Sequence, residues 1–215
     1  MLSGKYVAVL DADDIATPER IEKQVDYLEK HTEVSLVGSW AEYIDEKGIV
    51  FAKFMPPIDS ELLRDSLGWT NPFINSTMTF RRDIANSFGG YNSDLVYAED
   101  YAMVVNLAEH NEVAMLGESL CKLRILSTSL TRSAGYKKIA LEEGITLCDM
   151  ARNSIHLGAD AKKKNRRVKT NLQLRLAFSY IREKKYIKGV FFVMKGLLND
   201  VTILWNNQKI RRVFG

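Results

Sequence analysis

A short apolar run that stops in three acids constrains this chain most. Lys5 to Leu10 reads KYVAVL, and Asp11-Ala12-Asp13-Asp14 follows at once. A brief β-branched and aromatic run of this kind predicts a buried strand that delivers carboxylates at its C-terminal end. Thr17-Pro18-Glu19 then supplies an N-cap, a first-position proline and a first-turn acid. Ile21, Val25 and Leu28, spaced i, i+4 and i+7, predict an amphipathic helix over about Pro18 to Lys30. The opening unit is strand, acidic loop, helix.

The α/β pattern continues. Val34 to Ile44 and Ile49 to Phe54 read as a hairpin about the turn Asp45-Glu46-Lys47-Gly48. Ser60 to Leu67 reads as a short helix capped by Asp59 or Ser60. Ile74 to Arg81 alternates loosely, as a strand does, and Gly89-Gly90-Tyr91 reads as a loop. Glu99 to His110 is a helix with Met103 and Leu107 on its apolar face. Val113 to Leu116 and Leu120 to Leu126 are predicted closing strands. Beyond about Tyr136 the period is helical: Lys137 to His156, Arg166 to Arg182 and Tyr186 to Asn199, with Asp160 to Arg167 (DAKKKNRR) as a charged joint.

Of the 215 residues, 46% are hydrophobic and 27% charged, which excludes a disordered or collagen-like chain. Cys121 and Cys148 are too few for a disulfide framework or a four-thiolate zinc site. The N-terminal apolar run is too short, and too quickly acidic, for a signal peptide. Lys188, Lys195 and Asp200 interrupt Tyr186 to Trp205, the one stretch that approaches a membrane span. Residues 1–159 balance to −9, with 15 Lys+Arg against 24 Asp+Glu, and residues 160–215 to +12, with 15 against 3. Such a split predicts an acidic working part and a basic tail that meets something anionic.

Three constellations can carry chemistry. Asp11 and Asp13 alternate, so both can point one way, and a divalent cation between them offsets their repulsion. Hard oxygens suit Mg²⁺ or Mn²⁺. A solvated acidic turn capping the next helix is the plainer reading of the same residues. Glu99-Asp100 opens a helix, where the dipole favours acids with or without chemistry and is expected to keep them ionised. Arg124 ends a strand, most simply as a surface charge. His31, His110 and His156 share no ligand spacing, and no nucleophile elbow, Walker loop or dinucleotide fingerprint is present.

Taken in order, these segments resemble the family 2 glycosyltransferases of GT-A fold. YVAVLDADDIATPERIEKQVDYLE resembles that family's strand, metal-binding D-x-D and following helix. NSTMTFRRDIANSFGGYNSDLVYAEDYAMVVNLAEH resembles its acceptor-side segment, with a G-G-Y loop and then a Glu-Asp pair. LCKLRILSTSLT resembles its closing strand. The resemblance implies an incomplete, Rossmann-like mixed sheet flanked by helices. Residues 1–133 would be the metal and acceptor half, and residues 134–215 a basic helical extension. It implies that Asp13 holds the metal, Mn²⁺ or Mg²⁺, and that Asp11 helps hold metal or ribose. Asp100 would be the catalytic base, with Glu99 beside it at the acceptor. Asp14, Gly89, Gly90, Tyr91 and Arg124 would line the substrates. These would be a nucleotide-sugar donor and a glycan or lipid-linked acceptor of envelope polysaccharide synthesis.

Two departures stand out. Leu126 replaces the histidine that commonly follows the arginine. The family's nucleotide-base half, which precedes the D-x-D strand, has no counterpart here, so that strand is expected to leave an exposed sheet edge. Aromatics among the basic residues of 160–215 suit an anionic membrane surface at the cytoplasmic face. Packing of that tail on the acidic part fits equally, and no nucleic-acid reader motif occurs. Two other functions fit the same residues. One is a haloacid dehalogenase-type phosphohydrolase with Asp11 as nucleophile; the other is a non-catalytic remnant or partner subunit.

Overall fold

The computed structural model describes residues 3–126 and 134–200. The elements are β1 (Tyr6–Ala8), β2 (Ile15–Ala16), α1 (Arg20–Lys30), β3 (Val34–Ile44), β4 (Val50–Phe54) and α2 (Ser60–Ser66). A 3₁₀ turn (Asn75–Thr77), β5 (Thr79–Arg81), α3 (Arg82–Ser87), α4 (Glu99–His110) and β6 (Glu112–Arg124) follow. Three helices close the described chain: α5 (Ala134–Ser154), α6 (Ala159–Arg182) and α7 (Tyr186–Asn199).

β3 is the spine. It pairs parallel with β6 and antiparallel with β4 and β5. Its residues from Val34 to Ser39 are all buried, as in a strand covered on both faces. Leu36 packs with Met103 and Leu107 of α4, while Val37 packs with Leu28 of α1. The strand order is β1-β5-β3-β6-β2, with β4 on β3. β1 and β2 are thus at opposite ends of this path, yet only residues 9–14 join them. Four strand spacings make about 19 Å in a flat sheet. Those residues also turn, with the Asp14 N–H on the Asp11 carbonyl at 3.2 Å. The sheet therefore curls, and the curl gathers both ends at the acidic turn.

Several expectations give way. β1 is a half-exposed edge strand, antiparallel to β5, rather than a buried one. The predicted pair of closing strands is one strand, β6, and the expected break at Gly117-Glu118 is a bulge opposite Trp40. Ile74 to Arg81 divides into a 3₁₀ turn, Asn75–Thr77, and a short strand, Thr79–Arg81. The charged joint DAKKKNRR lies within α6. Its Ala, Lys and Arg are strong helix formers, and Ala161 and Asn165, four apart, supply a buried face.

Two of the C-terminal helices, α5 and α6, enter the core. Ala151, Ile155, Leu157 and Ala161 join the main cluster with Leu63, Met103 and Leu107. Leu147 packs on Ala98 and Ala102. Asn165 donates to the carbonyls of Cys148, at 2.8 Å, and Gly68. Cys121 and Cys148 are buried free thiols. Residues 127–131 of the closing motif, and Trp205 and Phe214 of the basic tail, lie outside the described residues.

Candidate active site

The acidic turn is held from behind by polar groups that the periodicity of α1 concealed. Arg20, Gln24 and Leu28 line the buried face of α1, while Ile21 is 48% exposed. The helix starts at Arg20 after Glu19, two residues later than Pro18 suggested. The buried Arg20 guanidinium donates to the carbonyls of Val9 at 2.8 Å and Met78 at 3.0 Å. It also donates to Gln24 Oε1 at 3.0 Å. Gln24 in turn donates to the Thr77 carbonyl at 2.8 Å and accepts the Thr79 hydroxyl at 2.7 Å. Arg20 so fastens the exit of β1 to the approach of β5.

The turn itself is fixed from the front by Asn75 and Ser76. The Asp11 N–H donates to Ser76 Oγ at 3.0 Å, and Asn75 Nδ2 donates to Asp11 Oδ1 at 3.1 Å. Asp14 Oδ1 accepts the Arg124 N–H at 2.8 Å. Burial raises the Asp14 pKa, against hydrogen bonds from Ser76 and Arg124. The Arg124 guanidinium donates to the carbonyls of Asp13 at 3.1 Å and Asp45 at 3.0 Å, so it ties the turn to the β3–β4 hairpin. Asp13 is exposed, and no hydrogen bond engages its carboxylate among the described residues.

The second group of acids opens α4. Asp100 accepts the Tyr101 N–H at 2.6 Å on one oxygen and Asn71 Nδ2 at 3.2 Å on the other. Burial pushes its carboxyl up to about 6, beyond what those two hydrogen bonds recover. The helix dipole was expected to hold this acid down; desolvation outweighs it. Glu99 Oε2 is buried with no hydrogen-bond partner among the described residues. From α5, the Glu143 carboxylate accepts three successive backbone N–H groups ahead of the pair. These are Val96 at 2.8 Å, Tyr97 at 2.9 Å and Ala98 at 2.9 Å.

Tyr91 joins the two groups. Gly89 and Gly90 before it have φ of +88° and +76°, a region that strains any residue with a Cβ. Its hydroxyl donates to Asn75 Oδ1 at 3.1 Å, and Asn75 in turn holds Asp11. Partial burial, followed by the negative charges of Asp100, Asp11 and Glu99, pushes the phenol up to about 12. Asp11, Glu99, Asp100, Tyr91 and the Gly89-Gly90 turn therefore share one region. Asp14 and Arg124 bind backbone at its base. Asn71, Asn75, Ser76, Arg20 and Glu143 were not anticipated. A run of small amides and hydroxyls between apolar residues, NPFINST, was the only trace of Asn71, Asn75 and Ser76 in sequence.

Among the described residues no three His, Cys, Asp or Glu side chains gather as a metal cage. Mg²⁺ and Mn²⁺ need none, because they are usually held by one or two carboxylates plus substrate phosphate oxygens. The exposed Asp13 carboxylate, with Asp11 two residues away, is a donor set of that kind.

Residues 1–89 match the family model described as glycosyl transferase family 2. An uncharacterized glycosyltransferase of Haemophilus influenzae is 28% identical over 210 residues, spanning 94% of this chain and 64% of that protein. The amylovoran biosynthesis glycosyltransferase AmsE of Erwinia amylovora is 35% identical over 137 residues, spanning 63% of this chain and 51% of AmsE. The mannosyltransferase PcManGT of Pyrobaculum calidifontis, solved with GDP-Man and Mn²⁺, matches 98% of this chain and 58% of its own. That likeness has a TM-score of 0.53 at 15% identity and concerns the fold. The curled mixed sheet with flanking helices is of GT-A type. The chain is similar to glycosyltransferases along most of its length, and to glycosyl transferase family 2 over residues 1–89. It spans about half to two thirds of the length of these relatives.

Proposed function

We propose that this chain carries the metal and acceptor side of an inverting glycosyltransferase. The reaction moves a sugar from a nucleotide-sugar donor to a hydroxyl of a glycan or lipid-linked acceptor. Tyr91 is the observation that carries the reading. It is tethered through Asn75 to Asp11 and bears the charge of Asp100 and Glu99. Acids suited to opposite ends of one transfer thus flank a single side chain. Residues 1–133 do this work in the proposal, with 134–215 as the basic helical extension.

The chemistry follows. The acceptor oxygen bonds to the anomeric carbon as the bond to the diphosphate breaks, and inversion results. Asp100 takes the acceptor proton; a positioned carboxylate is worth roughly 10²–10⁴-fold. A value near 6 leaves Asp100 largely ionised at neutral pH, yet a stronger base than an ordinary carboxylate. The Glu99 oxygen that has no partner among the described residues accepts a neighbouring hydroxyl of the acceptor. Asp13 and Asp11 would hold Mn²⁺ or Mg²⁺, which when bound would supply Lewis-acid stabilisation of the departing diphosphate. Asp14 and Arg124 keep the turn in place, and Gly89, Gly90 and Tyr91 shape the floor between donor and acceptor.

In the test, Asp100→Asn abolishes transfer and leaves donor binding intact, while Asp13→Asn abolishes Mn²⁺-dependent donor binding. Unchanged turnover in Asp100→Asn overturns the assignment. The family-model match over residues 1–89 takes in the Asp11–Asp14 segment and supports transfer over the phosphohydrolase reading. A remnant without activity would give no heat with GDP-mannose and Mn²⁺.

The basic extension adds a place of work. No helix among the described residues is long and apolar enough to cross a membrane. α7 instead exposes Ile187, Val190, Phe191, Met194 and Leu198 along one stripe, opposite the buried Gly189 and Gly196. A Cβ on Gly189 would come within 2.6 Å of Ile181, so that seam lets α7 sit close on α6. Lys188 and Lys195 flank the stripe, and α7 has no acid. An apolar stripe edged by lysines suits an anionic lipid surface at the cytoplasmic face. Absence of binding to anionic vesicles at low salt would remove this reading.

A further inference from the structure

Asn71, whose amide donates to Asp100, also lines a separate surface hollow of about 380 Å³. Its walls are apolar and stiff, made by Pro56, Pro57, Pro72 and Trp69. Trp40 Nε1 donates to the Pro56 carbonyl at 2.9 Å and holds one wall. The Phe73 N–H, on Asn71 Oδ1 at 3.0 Å, fixes the amide that joins the hollow to Asp100. Lys53 and Lys164 also line it, and no Asp or Glu does. Lys164 Nζ lies 4.0 Å from the centroid of the Trp69 ring. Lys53 is 58% exposed and only loosely paired, 3.7 Å from Glu42. Two ammonium groups beside low-dielectric walls, with no carboxylate between them, concentrate a positive field.

We propose that this hollow seats an oxyanion, phosphate or carboxylate, carried by the acceptor glycan next to the hydroxyl that loses its proton to Asp100. The word acceptor rests on the transfer reading above; the preference for an anion rests on the hollow alone. The site differs from that of the donor diphosphate. In the transfer reading the diphosphate would lie by the carboxylates of Asp11 and Asp13 and would need a cation there, whereas Lys53 and Lys164 hold an anion without metal. Trp69 and the prolines offer the sugar ring an apolar face, and the lysines select its charge.

Calorimetric titration of the protein in EDTA with glucose 1-phosphate, glucuronate and neutral methyl glucoside tests this. At least one anionic sugar should bind more than fivefold tighter than the neutral one, and added salt should shrink the difference. A phosphate preference points to a phosphorylated acceptor, and a glucuronate preference to a uronate. Lys53→Gln and Lys164→Gln should each cost up to about fivefold, the range of an exposed ion pair. The double variant should bind all three sugars alike with an unchanged circular dichroism spectrum, since both side chains are exposed. Equal binding of neutral and charged sugars, no binding of any, or a preference that survives in the double variant overturns the proposal. GDP-mannose with Mn²⁺ is titrated separately. Failure there removes the transfer reading and leaves the anion site standing.

Discussion

The Glu143 carboxylate accepts the N–H of Ala98 at 2.9 Å, immediately before the Glu99-Asp100 pair. The N–H groups of Val96 and Tyr97 meet the same carboxylate, so α5 fixes the loop that presents the candidate base. Glu143→Ala should lower kcat at least tenfold with donor affinity unchanged. It should also destabilise the fold by about 1–2 kcal/mol, because three N–H groups lose a charged acceptor at a partly exposed site. Glu143→Gln, which keeps one carbonyl oxygen, should restore part of both. Steady-state kinetics beside thermal melts decide it; a stability loss with full turnover would leave Glu143 no positioning role.

Asp100 should work against stability. Burial raises its carboxyl from 3.8 to about 6 in the folded protein. Between those values the folded state keeps a proton that the unfolded chain releases. Stability therefore falls as pH rises through this window and stays lower above it. Asp100→Asn should then stabilise the protein by about 1–3 kcal/mol near pH 7.5 and change little near pH 4. Melting curves at the two pH values read the difference. An equal effect at both would show that burial of charge is not the cause.

The same titration should appear in turnover. Asp100 accepts a proton only when ionised, so the acid limb of the transfer profile should fall off below an apparent pKa near 6. The Glu99 charge acts on this group, so the limb belongs to the pair. A profile flat down to pH 4.5 would exclude Asp100 as the base.

What the sequence made legible is what neighbouring residues encode. Asp11-Ala12-Asp13-Asp14, Gly89-Gly90-Tyr91 and Glu99-Asp100 are contiguous, and each reads as a unit. The bounds of β3 and α7 agree with their patterns, because each is set by a run of apolar residues and its end. What stayed hidden depends on partners far along the chain. Arg20 looks like a solvated helix residue until the carbonyls of Val9 and Met78 are brought to it. Asn71 and Asn75 look like loop amides until Asp100 and Asp11 arrive. Glu143 is one acid among many on α5 until it meets the loop 45 residues before it.

Arg20 gives the sharpest stability test. The residue is 1% exposed, its guanidinium is satisfied by carbonyls and Gln24 rather than a carboxylate, and burial lowers its pKa. Arg20→Met keeps much of the volume and leaves the Val9 and Met78 carbonyls short of a donor. It should cost about 2–4 kcal/mol. Because those carbonyls frame the acidic turn, Mn²⁺-dependent donor binding should weaken even where the variant is fully folded. Urea titration and calorimetry measure the two effects. A variant that is destabilised but binds donor normally would confine Arg20 to holding the fold.

α7 should govern attachment to lipid. Its 14 residues span about 21 Å, too short to cross a bilayer and long enough to lie along its surface. Ile187 and Leu198, 89% and 83% exposed, stand near opposite ends of the stripe. Ile187→Glu with Leu198→Glu should reduce co-sedimentation with phosphatidylglycerol vesicles more than tenfold and leave the fold unchanged, since neither side chain is packed. Lys188→Gln with Lys195→Gln should cost roughly 1 kcal/mol per lysine at low salt and little at high salt, because headgroup attraction is screened. The two pairs separate insertion from attraction. Loss in the lysine pair alone would describe a charged surface contact, and loss in neither would detach α7 from the membrane altogether.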